Sequence, residues 1–185
     1  MSAPFQHLIE KATFCAWVER QEGKYEWKEG RVVQTTNVTR AHVVIVANLL
    51  RALSARLDLE SWSVVASDFG VEDEDFIRYP DVLIEPAGAD PKSRHSEKVT
   101  ALFEVLSPST AGTDLSIKPE EYMRFASLEL YAVVTQDEPI LWVWQRNAER
   151  RFPSRPIQIS GRDAALEITS LGLALPLSEV YRGIR

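Results

Sequence analysis

The stretch VTALFEVL, residues 99–106, is strongly apolar and carries a single charged side chain, Glu104. Such a run reads as a central strand covered on both faces. Side chains alternate along a strand, so Leu102, Glu104 and Leu106 share one face and Ala101, Phe103 and Val105 the other. An acid at this place sits in a nearly dry setting, where a carboxylate without a partner is costly. A cation, a metal ion or several hydrogen-bond donors must compensate it.

A second acid stands in RYPDVLIEP, residues 78–86, inside a strand pattern over Phe76 to Glu85 that Pro80 interrupts. There Asp81, Leu83 and Glu85 share one face, and Val82 and Ile84 take the other. Two carboxylates converging from neighbouring strands suit Mg²⁺, which wants hard oxygen ligands and keeps some of its waters. Lys118 follows Glu104 by 14 residues, after a polar loop over Ser107 to Thr113 long enough to fold it back. The plain readings stand beside these. Asp81 is a common residue type after proline in turns, Glu104 can pair with Arg51 or Arg78, and Lys118 can be a solvated helix-start lysine.

Outward from this centre the pattern alternates helix and strand. Apolar residues at helical spacing predict a helix from about Phe5 to Arg20, closed by Gly23. Lys24 to Thr35 alternates around Glu29-Gly30, a β-hairpin signal. Thr39 is the expected N-cap of a helix from Arg40 to about Leu57, with Val43, Val46, Ala47, Leu50, Leu53 and Leu57 on its apolar stripe. Ser61 to Ala66 reads as a strand. A helix is bounded by Pro119 and Ser127; Pro119 disfavours helix at Lys118, so a loop there is at least as good a reading as a helix in which Asp114 and Lys118 form an i,i+4 ion pair. Leu130 to Thr135 and Ile140 to Gln145 form a hairpin pattern, and the tail suggests one or two short strands with a turn at Leu177 to Tyr181. The expected fold class is α/β (α+β), a mixed sheet flanked by helices, in one domain over 1–185.

The chain has 185 residues with a formal charge of −6. That acidic balance argues against a broad non-specific nucleic-acid coat and leaves room for a local basic cleft. One cysteine, Cys15, excludes an internal disulfide framework and fits a reducing compartment. The longest apolar run is far short of a membrane span, and a cytoplasmic protein with no membrane partner is expected. No Gly-rich phosphate loop, Cys/His zinc cluster or Gly-x-Ser-x-Gly elbow occurs.

RYPDVLIEP (78–86), LFEVLSPST (102–110), Asp114, Lys118, Tyr122 and LELYAVVTQDEPILWVWQR (128–146) together resemble the Uma-type endonucleases. These belong to the restriction-endonuclease-like PD-(D/E)XK nuclease superfamily. KYEWKEGRVV (24–33) and His42 at a helix head fit the same family. The resemblance implies a restriction-endonuclease-like core with a central mixed β-sheet flanked by helices. It also implies metal-dependent phosphodiester cleavage, with Mg²⁺ (or Mn²⁺) as cofactor and nucleic acid, DNA before RNA, as partner. Asp81 and Glu104 take the places of the metal-holding acids. The superfamily's usual lysine position, two after the second acid, is Leu106 here; the Uma-type pattern matches Lys118 instead. Glu26, His42, Asp114 and Tyr122 are expected in support: Glu26 near the metal or as a solvated strand acid, His42 at substrate or a metal-bound water or else structural, Asp114 orienting Lys118 or the loop, and Tyr122 packed on the sheet or in contact with Lys118. A homodimer, which lets one site address each DNA strand, rests on analogy alone. A nuclease fold that has lost catalysis and serves as a binding or assembly module is the alternative, motivated by the acidic charge and by Leu106.

The basic residues Arg146, Arg150, Arg151 and Arg155 are candidates for phosphate contact or for balancing an acidic surface. Trp142 and Trp144 share a strand face, suited to base stacking or to core packing.

Overall fold

The computed structural model describes residues 8–21, 25–34, 38–66, 68–96, 98–106 and 112–184. The chain runs α1 (Lys11–Val18), β1 (Tyr25–Lys28), β2 (Arg31–Gln34), α2 (Arg40–Ser54), β3 (Trp62–Ala66), β4 (Gly70–Glu72), β5 (Phe76–Arg78) and β6 (Val82–Pro86). It continues through β7 (His95–Ser96), β8 (Ala101–Val105), a π-helical turn (Thr113–Ile117), α3 (Lys118–Tyr122), β9 (Leu130–Val134) and β10 (Ile140–Gln145). Last come β11 (Ile157–Ser160), β12 (Ala165–Ile168), a 3-10 turn (Thr169–Leu171), β13 (Leu173–Pro176) and α4 (Leu177–Val180).

A six-stranded sheet in the order β11-β10-β9-β8-β6-β3 forms the centre. It is mixed, because β8 and β9 run parallel while its other neighbours are antiparallel. A π turn and α3 lie in the crossover that parallel pairing requires. Every residue of β8 is buried, as the apolar run predicts. Ala101, Phe103 and Val105 face the core made with Ile45, Leu49 and Leu53 of α2 and Leu177 and Val180 of α4. Leu102 faces the opposite core, with Leu83, Tyr122, Tyr131 and Phe76.

That second core is closed by another sheet, β2-β1-β5-β4-β7, whose outer side is covered by Phe14 of α1. The central mixed sheet flanked by helices is present: α2 and α4 cover one of its faces, and α3 with the five-stranded sheet covers the other. Strands of two to four residues that pair across long stretches of sequence give too little periodicity for this second sheet to be read as a whole.

Local signals hold where they have a mechanism. Glu29 (φ 46) and Gly30 (φ 83) form the hairpin turn between β1 and β2, the two consecutive positive φ values a tight hairpin turn needs. Thr39 caps α2 by accepting from the His42 N–H at 3.1 Å. Helix α1 is shorter than expected, and the parts of its predicted span before residue 8, like Gly23 and Lys24, lie outside the described residues. The tail holds three short strands where one or two are expected.

At Lys118 the helical alternative is the one that occurs. The residue has φ −61 and ψ −36, and its N–H reaches Thr113 O, five residues back. A proline at 119 clashes with the carbonyl four residues before it in a regular α-helix. The wider π turn relieves that clash and lets the helix pass through Lys118. Of the polar loop, residues 107–111 lie outside the described residues.

Candidate active site

The last ladder pair between β6 and β8 is Val82 with Phe103. One step further in that antiparallel register, Asp81 stands opposite Glu104 on the same face, in the core between the two sheets. Asp81 Oδ2 accepts from the Val105 N–H at 2.7 Å, which ties the end of β8 to the carboxylate. Its Oδ1 lies 3.1 Å from His42 Nε2. The two acids are thus brought together by register, from positions 23 residues apart in sequence.

Glu104 is 4% exposed. Lys118 Nζ donates to its Oε1 at 2.8 Å, and the Tyr122 hydroxyl donates to the same oxygen at 2.8 Å. Lys118 also makes an ion pair with Asp114 Oδ1 at 3.0 Å and lies 3.9 Å from Glu26 Oε1. The π turn makes this possible: Asp114, Lys118 and Tyr122 are buried while Leu115, Ser116 and Ile117 between them are exposed. Tyr131 of β9 donates to the Asp114 carbonyl at 2.8 Å and holds the turn against the sheet.

A second layer lies behind Lys118. Arg78 donates to Glu26 Oε2 at 2.8 Å and to both oxygens of Glu121, at 2.9 and 3.1 Å, a bidentate fork. Lys28 also pairs with Glu121. Arg78 and Glu121 were missed as site residues by the sequence reading, in which Arg78 figures only as a partner for Glu104. A pairing across 43 residues leaves no local pattern, although an arginine between the buried Ile77 and the Pro80-Asp81 turn is itself a signal of a buried ion pair.

The electrostatics follow from burial. Desolvation, with Asp81, Asp114 and Glu26 adding repulsion, pushes the Glu104 carboxyl up to about 8 against the pull of Lys118. Burial opposes the charge on Lys118, but Glu104, Glu26 and Asp114 hold its ammonium well above the usual lysine value. Burial and the neighbouring Glu104 raise the Tyr122 hydroxyl well above its usual value, so it remains a donor. Among the described residues the connected cluster sets five carboxylates (Asp81, Glu104, Asp114, Glu26, Glu121) against three cations (Lys118, Arg78, Lys28). No group of three or more His, Cys, Asp or Glu side chains among the described residues is placed to hold a metal by itself.

The structure also places the other candidates. Arg146 donates to the carbonyls of Leu128, Arg150 and Phe125 and stacks on Phe152, and Arg150 pairs with Glu129, so both stitch the β10 end to the chain before β9. Trp144 stacks on Tyr131 with ring centres 5.4 Å apart, and Trp142 packs against the same core. No helix among the described residues is long and apolar enough to cross a membrane.

A model of the Uma2 family, described as "Putative restriction endonuclease", matches residues 12–178. Two proteins of Synechocystis sp. are similar to the chain. The uncharacterized protein slr1290 is 28% identical over 189 residues, covering 99% of this chain and 96% of its own. The uncharacterized protein sll1609 is 26% identical over 135 residues, covering 70% of this chain and 76% of its own. A solved structure described as "a putative nuclease belonging to DUF820", from Anabaena variabilis, shares the fold with a TM-score of 0.72 at 13% identity, over 89% of this chain and 94% of its own. The span matched by the family model includes every residue of the site from Glu26 to Tyr122, and the chain belongs to the Uma2 family of restriction-endonuclease-like nucleases.

Proposed function

We propose that the chain is a Mg²⁺-dependent endonuclease that hydrolyses DNA phosphodiester bonds, with Asp81 and Glu104 holding the cation. The observation that carries this reading is the charge imbalance of the buried cluster. Five carboxylates stand against three cations, and the repulsion among them that raises the Glu104 carboxyl is what a bound divalent cation would relieve. The donor set fits as well, being hard oxygen from adjacent strands. Both donors to Glu104 among the described residues end on Oε1, which leaves Oε2 as the oxygen for a further ligand. Asp81 and Glu104 would hold the ion through two carboxylates, a small protein share that suits Mg²⁺.

When bound, the ion polarises the phosphoryl oxygen and lowers the pKa of a water. The protein's own groups do the rest. The Val105 N–H and His42 aim Asp81. Tyr122 and Lys118 fix Glu104. Lys118 stays an ammonium, so it serves as a positive charge toward the phosphate and its transition state and does not act as a base. Arg78, clamped by Glu26 and Glu121, keeps the wall behind Lys118 rigid.

The test is cleavage of plasmid and single-stranded DNA by the purified chain with Mg²⁺ or Mn²⁺. Asp81→Asn and Glu104→Gln are each expected to lose more than about 100-fold in rate, beyond the loss typical of a merely supporting group. Unchanged cleavage in both variants, or full activity in excess chelator, overturns the assignment.

A further inference from the structure

We propose that His42 is a positioning residue for Asp81, donating Nε2–H to Oδ1 and so fixing the plane of the carboxylate that faces the cation. This rests on the reading of Asp81 as a metal ligand. The geometry has three parts. First, among the described residues Asp81 meets donors on both of its oxygens: Val105 N–H on Oδ2 at 2.7 Å and His42 Nε2 on Oδ1 at 3.1 Å. One donor leaves a carboxylate free to swivel about its side-chain bond, whereas two on opposite oxygens set its orientation.

Second, the other ring nitrogen of His42 is closed off. Nδ1 is buried and has no hydrogen-bond partner among the described residues, and the residue is 7% exposed. A hydrogen on Nδ1 would be left unsatisfied in the interior, which assigns the Nε2–H tautomer. The ring therefore offers no nitrogen to substrate or to a water in the site.

Third, the two donors are locked to each other. The His42 N–H is capped by Thr39, whose hydroxyl pairs with Gln136 Oε1. Gln136 Nε2 in turn donates to Leu106 O at 2.6 Å, one residue beyond Val105. The first turn of α2 and the end of β8 are thus bridged a second time, independently of Asp81. The separation between the histidine and the Val105 N–H is set by the scaffold, so Asp81 settles into a preformed pair of donors.

Calorimetric titration of Mn²⁺ into the metal-free full chain tests this with wild type, His42→Ala, His42→Asn and His42→Gln. The Gln amide nitrogen lies the same number of bonds from Cα as Nε2, and the Asn amide nitrogen corresponds to Nδ1. Ala and Asn are expected to weaken Mn²⁺ about 10- to 100-fold, as loss of an outer-shell partner does, and Gln to restore most of the affinity. The long-range proton–nitrogen NMR spectrum of the metal-free wild type is expected to show the Nε2–H tautomer at the ring that disappears in His42→Gln. Equal Mn²⁺ affinity in all four proteins, rescue by Asn in place of Gln, or an Nδ1–H tautomer overturns the proposal. A wild type that takes up no Mn²⁺ overturns the metal reading and this role with it, while variants that bind like the wild type overturn only the role of His42.

Discussion

Lys118 and Tyr122 converge on one oxygen of Glu104, and the two contacts differ in what their loss leaves behind. Tyr122→Phe removes a hydroxyl but keeps the ring that packs edge-on against Phe76 and Tyr131. Lys118→Met keeps the length of the side chain and strands Glu104 and Asp114 beside each other without their shared cation. Hydrogen bonds to charged groups contribute about 1.5–3 kcal/mol, whereas removing one partner of a buried ion pair costs about 3–5 kcal/mol. Urea denaturation should therefore rank Lys118→Met as clearly more destabilising than Tyr122→Phe, and the reverse order would show that the tyrosine is the principal support of Glu104. Glu104 itself was legible because a charge inside an apolar strand has a cost that can be read locally. Asp81 was legible because strand alternation put it on a definite face. Arg78 and Glu121 were not, since their pairing depends on where two distant segments meet.

At the scale of elements, the site depends on how closely β4 and β5 approach the chain around them. A Cβ at Gly70 would lie 2.6 Å from His95 Cδ2 and 2.9 Å from the Arg78 carbonyl oxygen. The first neighbour is a ring and the second is backbone, so neither yields cheaply. Gly70→Ala is expected to cost about 1–3 kcal/mol, as overpacking does, and to disturb Arg78 and hence the wall behind Lys118. Gly112 is the contrast, with φ −63 and, among the described residues, no heavy atom within 4 Å of its would-be Cβ. Gly112→Ala should be neutral or stabilising by up to about 1 kcal/mol, through the unfolded state. Denaturant midpoints compare the two, and a Gly70→Ala chain as stable as Gly112→Ala would refute the close approach. The same scale explains which elements could be read. The β1-β2 turn and the Thr39 cap are decided by neighbouring residues, and both occur where expected. The π turn was hidden because the rule that a proline disfavours helix before it is local, while Asp114 and Lys118 are held in the helix by Tyr131 and Glu104 from the sheet. The second sheet was hidden because its strands pair across long stretches of sequence, as Trp27 does with Ile77.

For the whole molecule, Arg78 is where the five-stranded sheet meets α3. It sits on β5, reaching Glu26 on β1 and Glu121 on α3, and Lys28 of β1 joins Glu121. Burial alone would raise both carboxyls. The charges of Lys118 and Arg78 nevertheless hold Glu26 below its ordinary value of 4.5, and the hydrogen bonds from Arg78 and Lys28 hold Glu121 below the same value. A carboxyl whose pKa is depressed on folding binds fewer protons in the folded state. Its stabilisation is complete above the unfolded value and is lost as pH falls through the folded one. The contribution of these two acids is thus constant from neutral pH down to roughly 5, and it declines below the ordinary carboxylate value, where protonation leaves Arg78 buried without its partners. Glu121→Gln separates this clamp from the other acids of the chain. The variant should be about 3–5 kcal/mol less stable at pH 7, because one partner of a buried pair is gone. Its stability should also fall less steeply in acid, since one proton is removed from the linkage. Urea midpoints measured from pH 7 to pH 3 for both proteins give the comparison. Parallel acid slopes would mean that Glu121 titrates alike in the folded and unfolded chains, and that its fork to Arg78 adds nothing to the hold between α3 and the five-stranded sheet.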